Sequence, residues 1–208
     1  MRSALPRPLV VMALPAESDG VFEAAGVPVL FCGVGKVSAA IALTRELARY
    51  IHGGEPPPLV LNFGTAGSRV YTTGTLVACR EFIQRDMDVR GLGFPLGVTP
   101  FDPAPPVLKF EPVFDHLPTA TCGSGDSFAT AGSEAEGAAA CGVVDMEAYA
   151  LAKVCWLEGA AFACAKYVSD GADAQAAADW QSNVHRAAGE FLDLYQNVSG
   201  SSGGARIP

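Results

Sequence analysis

Short apolar runs bounded by turn residues alternate along the chain with longer segments whose apolar residues recur at helical spacing. An uninterrupted apolar run is typical of a strand that is covered on both faces of a sheet. The runs that predict strands are residues 9–14, 27–32, 59–63, 76–82, 143–144 and 162–168. The segments that predict helices are residues 37–51, 129–140, 146–158 and 174–198. This alternation predicts an α/β fold, a three-layer α/β/α sandwich with a mixed, largely parallel central sheet.

Glycine and proline mark the parts of the chain that we expect to be irregular. Residues 91–118 are rich in both, which predicts surface loops. Residues 199–208 are mostly Ser and Gly, which predicts a flexible tail. Half of the 208 residues are hydrophobic, which suffices for one well-filled core. We therefore expect residues 1–198 to form a single domain.

The negative net charge argues against two classes of partner, nucleic acids and anionic membranes. The formal net charge is -8, whereas nucleic acids and anionic membranes are bound through clustered Lys and Arg. We therefore expect neither of these as a partner and favour a small neutral or weakly charged ligand. No apolar run reaches membrane-spanning length, and the first residues lack the apolar core of a signal peptide. We expect a cytoplasmic protein.

Cysteines and histidines give no indication of a metal site or of a cofactor. The six cysteines are scattered through apolar segments without a CxxC pair, as buried thiols of a reducing compartment are. The three histidines do not stand at ligand spacing with one another or with a cysteine. We expect no metal and no cofactor.

Polar and glycine-rich residues follow several predicted strands. In open α/β sheets, ligand sites lie beyond the carboxyl ends of the strands. Such residues occur at five places in this sequence, namely Glu17, residues 33–36, residues 64–68, residues 146–147 and residues 169–170. Residues 33–36 lack the spacing of a phosphate-binding fingerprint, so a tight strand-to-helix turn explains them equally well. Residues 64–68 could likewise face a ligand or merely turn the chain.

Carboxylates at the ends of two strands carry the strongest chemical signal. Asp145 and Glu147 follow an apolar strand, and Glu147 could accept two hydrogen bonds from a ribose diol. The alternative is that both are acidic residues favoured at a helix N-terminus. Asp173 suits the N-cap of the last helix, which leaves Asp170 as a candidate general acid.

Seven short motifs in order resemble the nucleoside phosphorylase superfamily, and within it the chain most resembles the bacterial 5'-methylthioadenosine/S-adenosylhomocysteine nucleosidases. The resemblance runs from about residue 8 to about residue 195. Its motifs are Ala13-Leu14-Pro15-Ala16-Glu17, Gly33-Val34-Gly35-Lys36-Val37, Phe63-Gly64-Thr65-Ala66-Gly67, Arg85-Asp86-Met87-Asp88, Ser124-Gly125-Asp126-Ser127-Phe128, Val144-Asp145-Met146-Glu147 and Ser169-Asp170-Gly171-Ala172-Asp173.

The resemblance implies a role for each matching residue. Glu17 matches the glutamate that activates the attacking water, and Asp170, beside Ser169, matches the aspartate that protonates N7 of the leaving purine. Glu147 and Met146 match the positions that hold the ribose. The matching residues that line the rest of the nucleoside site are Phe128 against the adenine and Thr65, Val34 and Leu14 against the ribose and the 5' substituent.

The resemblance also implies a homodimer, in which the partner subunit's loop closes the 5' pocket. That loop corresponds to Leu92, Phe94 and Pro100 of this sequence, and Trp180 matches an aromatic residue from the segment before the last helix. Lys166 stands where these nucleosidases often have arginine, and it could contact the backbone or the ribose diol.

Three hypotheses follow, and hydrolysis is the one that we favour. Phosphorolysis needs cationic side chains around the phosphate, and Glu17 would repel that anion. Arg69 keeps a phosphorylase of the same fold open as an alternative. A third possibility is a nucleoside-binding protein without catalysis, although such a protein needs no pair of general acid and base. The substrate could also be another 5'-modified nucleoside, such as futalosine or 5'-deoxyadenosine.

Overall fold

A mixed eight-stranded sheet forms the centre of the computed structural model, which describes residues 7–130 and 141–201. Within these residues the strands are β1 Leu9–Met12, β2 Val29–Phe31, β3 Val60–Gly67, β4 Leu76–Gln84, β5 Val107–Lys109, β6 Thr119–Ser124, β7 Val143–Asp145 and β8 Phe162–Asp170. The helices are α1 Pro15–Ser18, α2 Val21–Ala24, α3 Lys36–His52, α4 Ala148–Glu158, α5 Ala176–Asn183 and α6 Ala188–Ser201, with one 3-10 turn at Arg90–Leu92.

The sheet closes on itself. β3, β7, β6, β4 and β8 pair in sequence, and β8 pairs back onto β3, which completes a ring of five strands. β1 and β2 extend the sheet beside β3, and β5 extends it beside β4. The pairings that involve β1, β2 and β6, together with the β3–β8 pairing, are parallel. The expected α/β fold with a mixed, largely parallel sheet is confirmed.

Two hydrophobic clusters cover the two faces of the sheet. Val11 belongs to the cluster that packs under α3 and α4, whereas its neighbours Val10 and Met12 belong to the cluster under α2 and α6. This alternation explains why β1 is apolar at every position. α3 contributes a buried stripe at Ala39, Leu43 and Leu47, which is the spacing of one helical face.

β3 is longer than its sequence predicts. Residues 64–68 were expected to form a loop after the strand, but β3 continues to Gly67 because β8 pairs with it along its whole length. The strands β5 and β6 were not predicted. β5 lies within the otherwise irregular segment 91–118, where it pairs antiparallel with β4.

The last predicted helix, residues 174–198, is divided into α5 and α6. The side chain of Asn183, the last residue of α5, donates a 2.8 Å hydrogen bond to the carbonyl of Ser169 and ties that helix to the end of β8. α6 then packs Phe191 and Tyr195 into the second cluster and runs to Ser201, past the start of the expected tail at residue 199. Residues 202–208, and residues 131–140 of the predicted helix 129–140, lie outside the described residues.

Candidate functional site

A cavity of about 350 Å³ opens where the ends of β1, β3, β7 and β8 converge. It brings together ten of the residues that the sequence singles out, which are Leu14, Glu17, Val34, Thr65, Phe128, Met146, Glu147, Ser169, Asp170 and Trp180. A volume of this size is within the range of small-molecule sites. Phe128 stands at the mouth with 41% of its side chain exposed, as an aromatic platform for a planar ligand would.

Glu17 is buried and its carboxylate is held by four donors. Oε2 accepts hydrogen bonds from the backbone N–H groups of Ala13 at 2.9 Å and Leu14 at 3.1 Å. Oε1 accepts from the Thr65 backbone N–H at 2.9 Å and from the Thr65 hydroxyl at 3.2 Å. A carboxylate has about four lone-pair sites, so these four donors fix the orientation of the Glu17 side chain at one side of the cavity.

Two glycines of β3 allow two carboxylates of the cavity to approach the strand backbone. A Cβ on Gly64 would lie 2.9 Å from Oε1 of Glu17, and a Cβ on Gly67 would lie 2.7 Å from Oδ1 of Asp170. Both distances are shorter than real Cβ contacts, so each carboxylate would have to shift if the glycine carried a side chain. The glycines of this motif therefore serve close approach within a strand rather than a turn.

Asp170 is buried at the end of β8, the strand that pairs with β3. Its Oδ2 accepts from the Ser169 hydroxyl at 2.7 Å and its Oδ1 accepts from the Ala172 backbone N–H at 2.9 Å. Burial raises the pKa of Asp170, and these two hydrogen bonds offset that rise only in part. A carboxyl group that retains its proton at higher pH is suited to donate it.

Glu147 is the third buried carboxyl group of the cavity. Its Oε1 accepts from the Gly35 backbone N–H at 2.8 Å. Burial and the nearby charge of Asp145 raise the pKa of Glu147 to about 7, against the opposing effects of Lys166 and the Gly35 N–H. Residues 33–36 thus bring a backbone donor to the cavity, in addition to turning the chain into α3.

Lys166 forms a buried ion pair, which corrects the expected contact with the backbone or the ribose diol. Its Nζ lies 2.9 Å from Oδ2 of Asp145, and Lys166 does not line the cavity. Burial alone would raise the pKa of Asp145, but Lys166 and the Ser124 hydroxyl lower it below the usual range. Asp145 in turn holds the pKa of Lys166 well above its ordinary value against the effect of burial. Asp145 is therefore the buried counter-ion of Lys166, and its Oδ2 also accepts from the Ala148 N–H at the start of α4 at 2.9 Å, as an acid at a helix N-terminus does.

Arg85 lines the cavity and was not singled out as a site residue. It is almost fully buried at the end of β4, and its guanidinium donates to the Ser127 hydroxyl at 3.2 Å and to the carbonyls of Gly125 and Ser127. It thereby holds the loop that leads to Phe128. The signal in the sequence was an arginine directly after an apolar strand, inside one of the seven motifs.

Leu92, Phe94 and Pro100 lie outside the lining of the cavity. Leu92 is 74% exposed, and the ring of Phe94 packs edge-on against the exposed Phe101. These three residues were assigned to the neighbouring subunit's site, so their distance from the cavity of their own chain leaves that assignment a prediction. Trp180, in contrast, reaches the cavity of its own chain and donates from Nε1 to the Thr65 hydroxyl oxygen at 3.1 Å.

Arg69 does not contribute a cation to the cavity. Its guanidinium donates to the carbonyl of Ala172 at 3.1 Å, and Arg69 is not among the lining residues. Among residues 7–130 and 141–201, no three His, Cys, Asp or Glu side chains are grouped as a metal site would require. Within the same residues, no helix is long and apolar enough to cross a membrane.

Known proteins are similar to this chain in sequence and in fold. Residues 21–198 match the family model of the phosphorylase superfamily. A 5'-methylthioadenosine/S-adenosylhomocysteine nucleosidase of Bacillus pumilus is 31% identical over 85% of this chain and 82% of its own length. One from Haemophilus influenzae is 30% identical over 85% of this chain and 78% of its own.

Solved structures show the same fold at lower identity. The Helicobacter pylori 5'-methylthioadenosine/S-adenosylhomocysteine nucleosidase matches with a TM-score of 0.78 and 20% identity, over 94% of this chain and all of that one. The futalosine hydrolase of the same organism matches with a TM-score of 0.78 and 20% identity, over 93% of this chain and 98% of that one.

Proposed function

This chain belongs to the phosphorylase superfamily, and we propose that it hydrolyses the N-glycosidic bond of a 5'-modified adenine nucleoside. The proposed substrates are of the 5'-methylthioadenosine/S-adenosylhomocysteine type, and the products are adenine and the modified ribose. The sequence relatives that support this substrate class are at least 30% identical and match most of both chains. The resemblance stated from the motifs is thus confirmed at the level of the family.

The observation that carries the proposal is the pair Glu17 and Asp170, which line one cavity in different surroundings. Glu17 accepts four hydrogen bonds as a carboxylate, whereas the pKa of Asp170 is raised by burial. Departure of a purine needs a proton donor at the base and a group that activates water at the sugar. Glu17 is the proposed water activator and Asp170 the proposed acid, and each such group contributes roughly 10²–10⁴-fold.

The remaining lining residues divide the cavity between base and sugar. Phe128 is the proposed stacking partner of the adenine, beside Asp170 and Ser169. Glu147 is the proposed acceptor for the ribose hydroxyls, with Met146 against the sugar. Leu14, Val34, Thr65 and Trp180 complete the ribose and 5' side of the proposed site.

Water is favoured over phosphate as the acceptor. Arg69 is the cation that left phosphorolysis open as an alternative. Its guanidinium donates to the carbonyl of Ala172, and Arg69 is not among the residues that line the cavity. Arg85 does line it, but its guanidinium is engaged by Gly125 and Ser127. A phosphate would also lie near the fixed charge of Glu17.

We expect the enzyme to act as a homodimer in the cytoplasm. Leu92 and Phe101 are exposed by 74% and 95%, and large exposed apolar side chains of this kind are covered in protein interfaces. In the dimer that the family resemblance implies, Leu92, Phe94 and Pro100 lie on the 5' side of the neighbour's cavity. Sedimentation of the purified protein, with Leu92→Asp for comparison, measures the oligomeric state. All six cysteines are buried, which is consistent with a reducing compartment.

The decisive experiment follows adenine release from 5'-methylthioadenosine by chromatography, with and without phosphate. Adenine and free methylthioribose in phosphate-free buffer are the expected products. Strict dependence on phosphate, with a sugar 1-phosphate as product, would establish a phosphorylase instead. Absence of adenine would contradict the proposed substrate, and futalosine and 5'-deoxyadenosine would then be assayed in the same way.

Variants test the two proposed roles. We expect Glu17→Gln and Asp170→Asn each to lower kcat by about 100-fold or more, with cooperative unfolding retained. Asp115→Asn is the matched control, because Asp115 is exposed and lies outside the cavity. Wild-type rates in both site variants would refute the mechanism.

A further inference from the structure

Trp180 and Thr65 form a chain of hydrogen bonds that ends on Glu17. The indole Nε1 lies 3.1 Å from the Thr65 hydroxyl oxygen, and that oxygen lies 3.2 Å from Oε1 of Glu17. An indole N–H can only donate and an ionised carboxylate can only accept. The direction of both bonds is therefore fixed, from Trp180 to Thr65 and from Thr65 to Glu17.

The Thr65 hydroxyl is the adjustable part of the surroundings of Glu17. The other three donors to this carboxylate are backbone N–H groups of Ala13, Leu14 and Thr65, which are held by the fold. A hydroxyl hydrogen, in contrast, rotates to whichever acceptor is best placed. When Trp180 donates to its oxygen, the hydroxyl keeps its place and its hydrogen remains directed to Glu17, and consecutive bonds of this kind strengthen one another.

We propose that Trp180 is a positioning residue that acts through the Thr65 hydroxyl to orient the Glu17 carboxylate. The role is additional to its place in the cavity lining and rests on the proposed function, in which Glu17 activates water. Trp180 is on α5, so the chain of bonds links the placement of α5 to the group that receives the proton.

α5 does not depend on the indole bond for its own placement. Asn183 ties its end to the carbonyl of Ser169 at 2.8 Å, and Ala176 is fully buried at its start. Trp180→Phe therefore removes the N–H while the helix and an aromatic ring remain. This separates the hydrogen bond from the packing of the segment.

A double-mutant cycle tests the proposal, with Trp180→Phe and Thr65→Val as single changes and in combination. We expect Trp180→Phe to lower kcat about 3- to 10-fold, the range of one neutral hydrogen bond, with KM changed less than about twofold because the ring still lines the cavity. In the Thr65→Val background, which lacks the hydroxyl, the same change should leave kcat unaltered. In the Thr65→Ser background, which retains a hydroxyl, kcat should fall as it does in the wild type. Trp156→Phe is the matched control, since Trp156 is partly exposed on α4 and lies outside the cavity.

Two results would overturn the inference while leaving the proposed function intact. One is an equal loss of kcat from Trp180→Phe with and without the Thr65 hydroxyl, and the other is a rise in KM with kcat unchanged. Urea unfolding of the same proteins provides a readout independent of activity. The hydrogen bond requires the unfolding midpoints to shift non-additively, and additive shifts would refute it even if the wild type released no adenine.

Discussion

Replacement of Lys166 by Met removes the buried cation that pairs with Asp145 and leaves a side chain of similar length. The Lys166 ammonium group lies 2.9 Å from Asp145, and both side chains are almost fully inaccessible to solvent. Without Lys166, a carboxylate remains buried with two hydrogen bonds, from the Ser124 hydroxyl and the Ala148 backbone N–H. Removal of one partner from a buried pair costs about 3–5 kcal/mol.

This loss is large enough to measure directly. In a chain of this size, each kcal/mol shifts the melting temperature by about 2–4 °C, so we expect Lys166→Met to melt roughly 6–20 °C lower. Urea unfolding followed by circular dichroism gives the free energy. Asp145→Asn removes the stranded charge, so the combination of both changes should be more stable than Lys166→Met alone.

The loss should also depend on pH in a defined direction. In the wild type the pKa of Asp145 is lowered, so its contribution to stability is present above the unfolded pKa and is lost as the pH falls. In Lys166→Met, burial raises the pKa of Asp145, which destabilises the folded state increasingly as the pH rises. The difference between the two proteins should therefore widen from pH 5 to pH 8. A loss below about 1 kcal/mol, or a difference that is independent of pH, would refute this account of the ion pair.

Three further predictions concern groups of the same cavity. Gly67→Ala would place a Cβ 2.7 Å from Oδ1 of Asp170, so kcat should fall at least tenfold. Wild-type kinetics would show that β3 can shift to accommodate the added methyl group. Because the pKa of Glu147 is raised to about 7, ionisation of this residue lowers the free energy of unfolding as the pH rises from about 4.5 to 7. In urea unfolding, the free energy of unfolding of Glu147→Gln should therefore rise relative to that of the wild type by up to about 3 kcal/mol between pH 5 and pH 8. A difference that stays constant with pH would contradict that pKa. Arg85→Met frees the carbonyls of Gly125 and Ser127, so steady-state kinetics should show KM raised about tenfold with a smaller effect on kcat. An unchanged KM would exclude a role in holding this loop.

The sequence predicted six of the eight strands and, at strand ends, seven of the ten predicted residues that line the cavity, because both depend on local patterns. The other three, Leu14, Phe128 and Trp180, followed from the resemblance alone. Apolar runs identify strands, and chemically distinctive residues at strand ends identify the edge where a site forms. Gly64 and Gly67 were harder to interpret, because the sequence does not distinguish a glycine that ends a strand from one that makes room for a carboxylate. Their partners, Glu17 and Asp170, are distant along the chain.

Two features could not be predicted because they arise from single tertiary contacts. The helical pattern of residues 174–198 continues through residues 184–187, and the hydrogen bond from Asn183 to the carbonyl of Ser169 coincides with the break. Lys166 was visible as a charge within a buried strand, but the sequence did not identify Asp145 as its partner. In both cases the deciding contact joins residues whose proximity the sequence pattern does not encode.

The division of labour between the two proposed catalytic carboxyl groups follows from their surroundings rather than from their residue type. Glu17 and Asp170 are both buried and both face β3, yet Glu17 accepts four hydrogen bonds and Asp170 accepts two. Each donor stabilises the ionised form, whereas burial opposes it. The raised pKa of Asp170 suits it to hold a proton, whereas the four donors to Glu17 fix the orientation of its carboxylate. The local backbone sets this difference, since three of the four donors to Glu17 are N–H groups, two from the turn after β1 and one from β3.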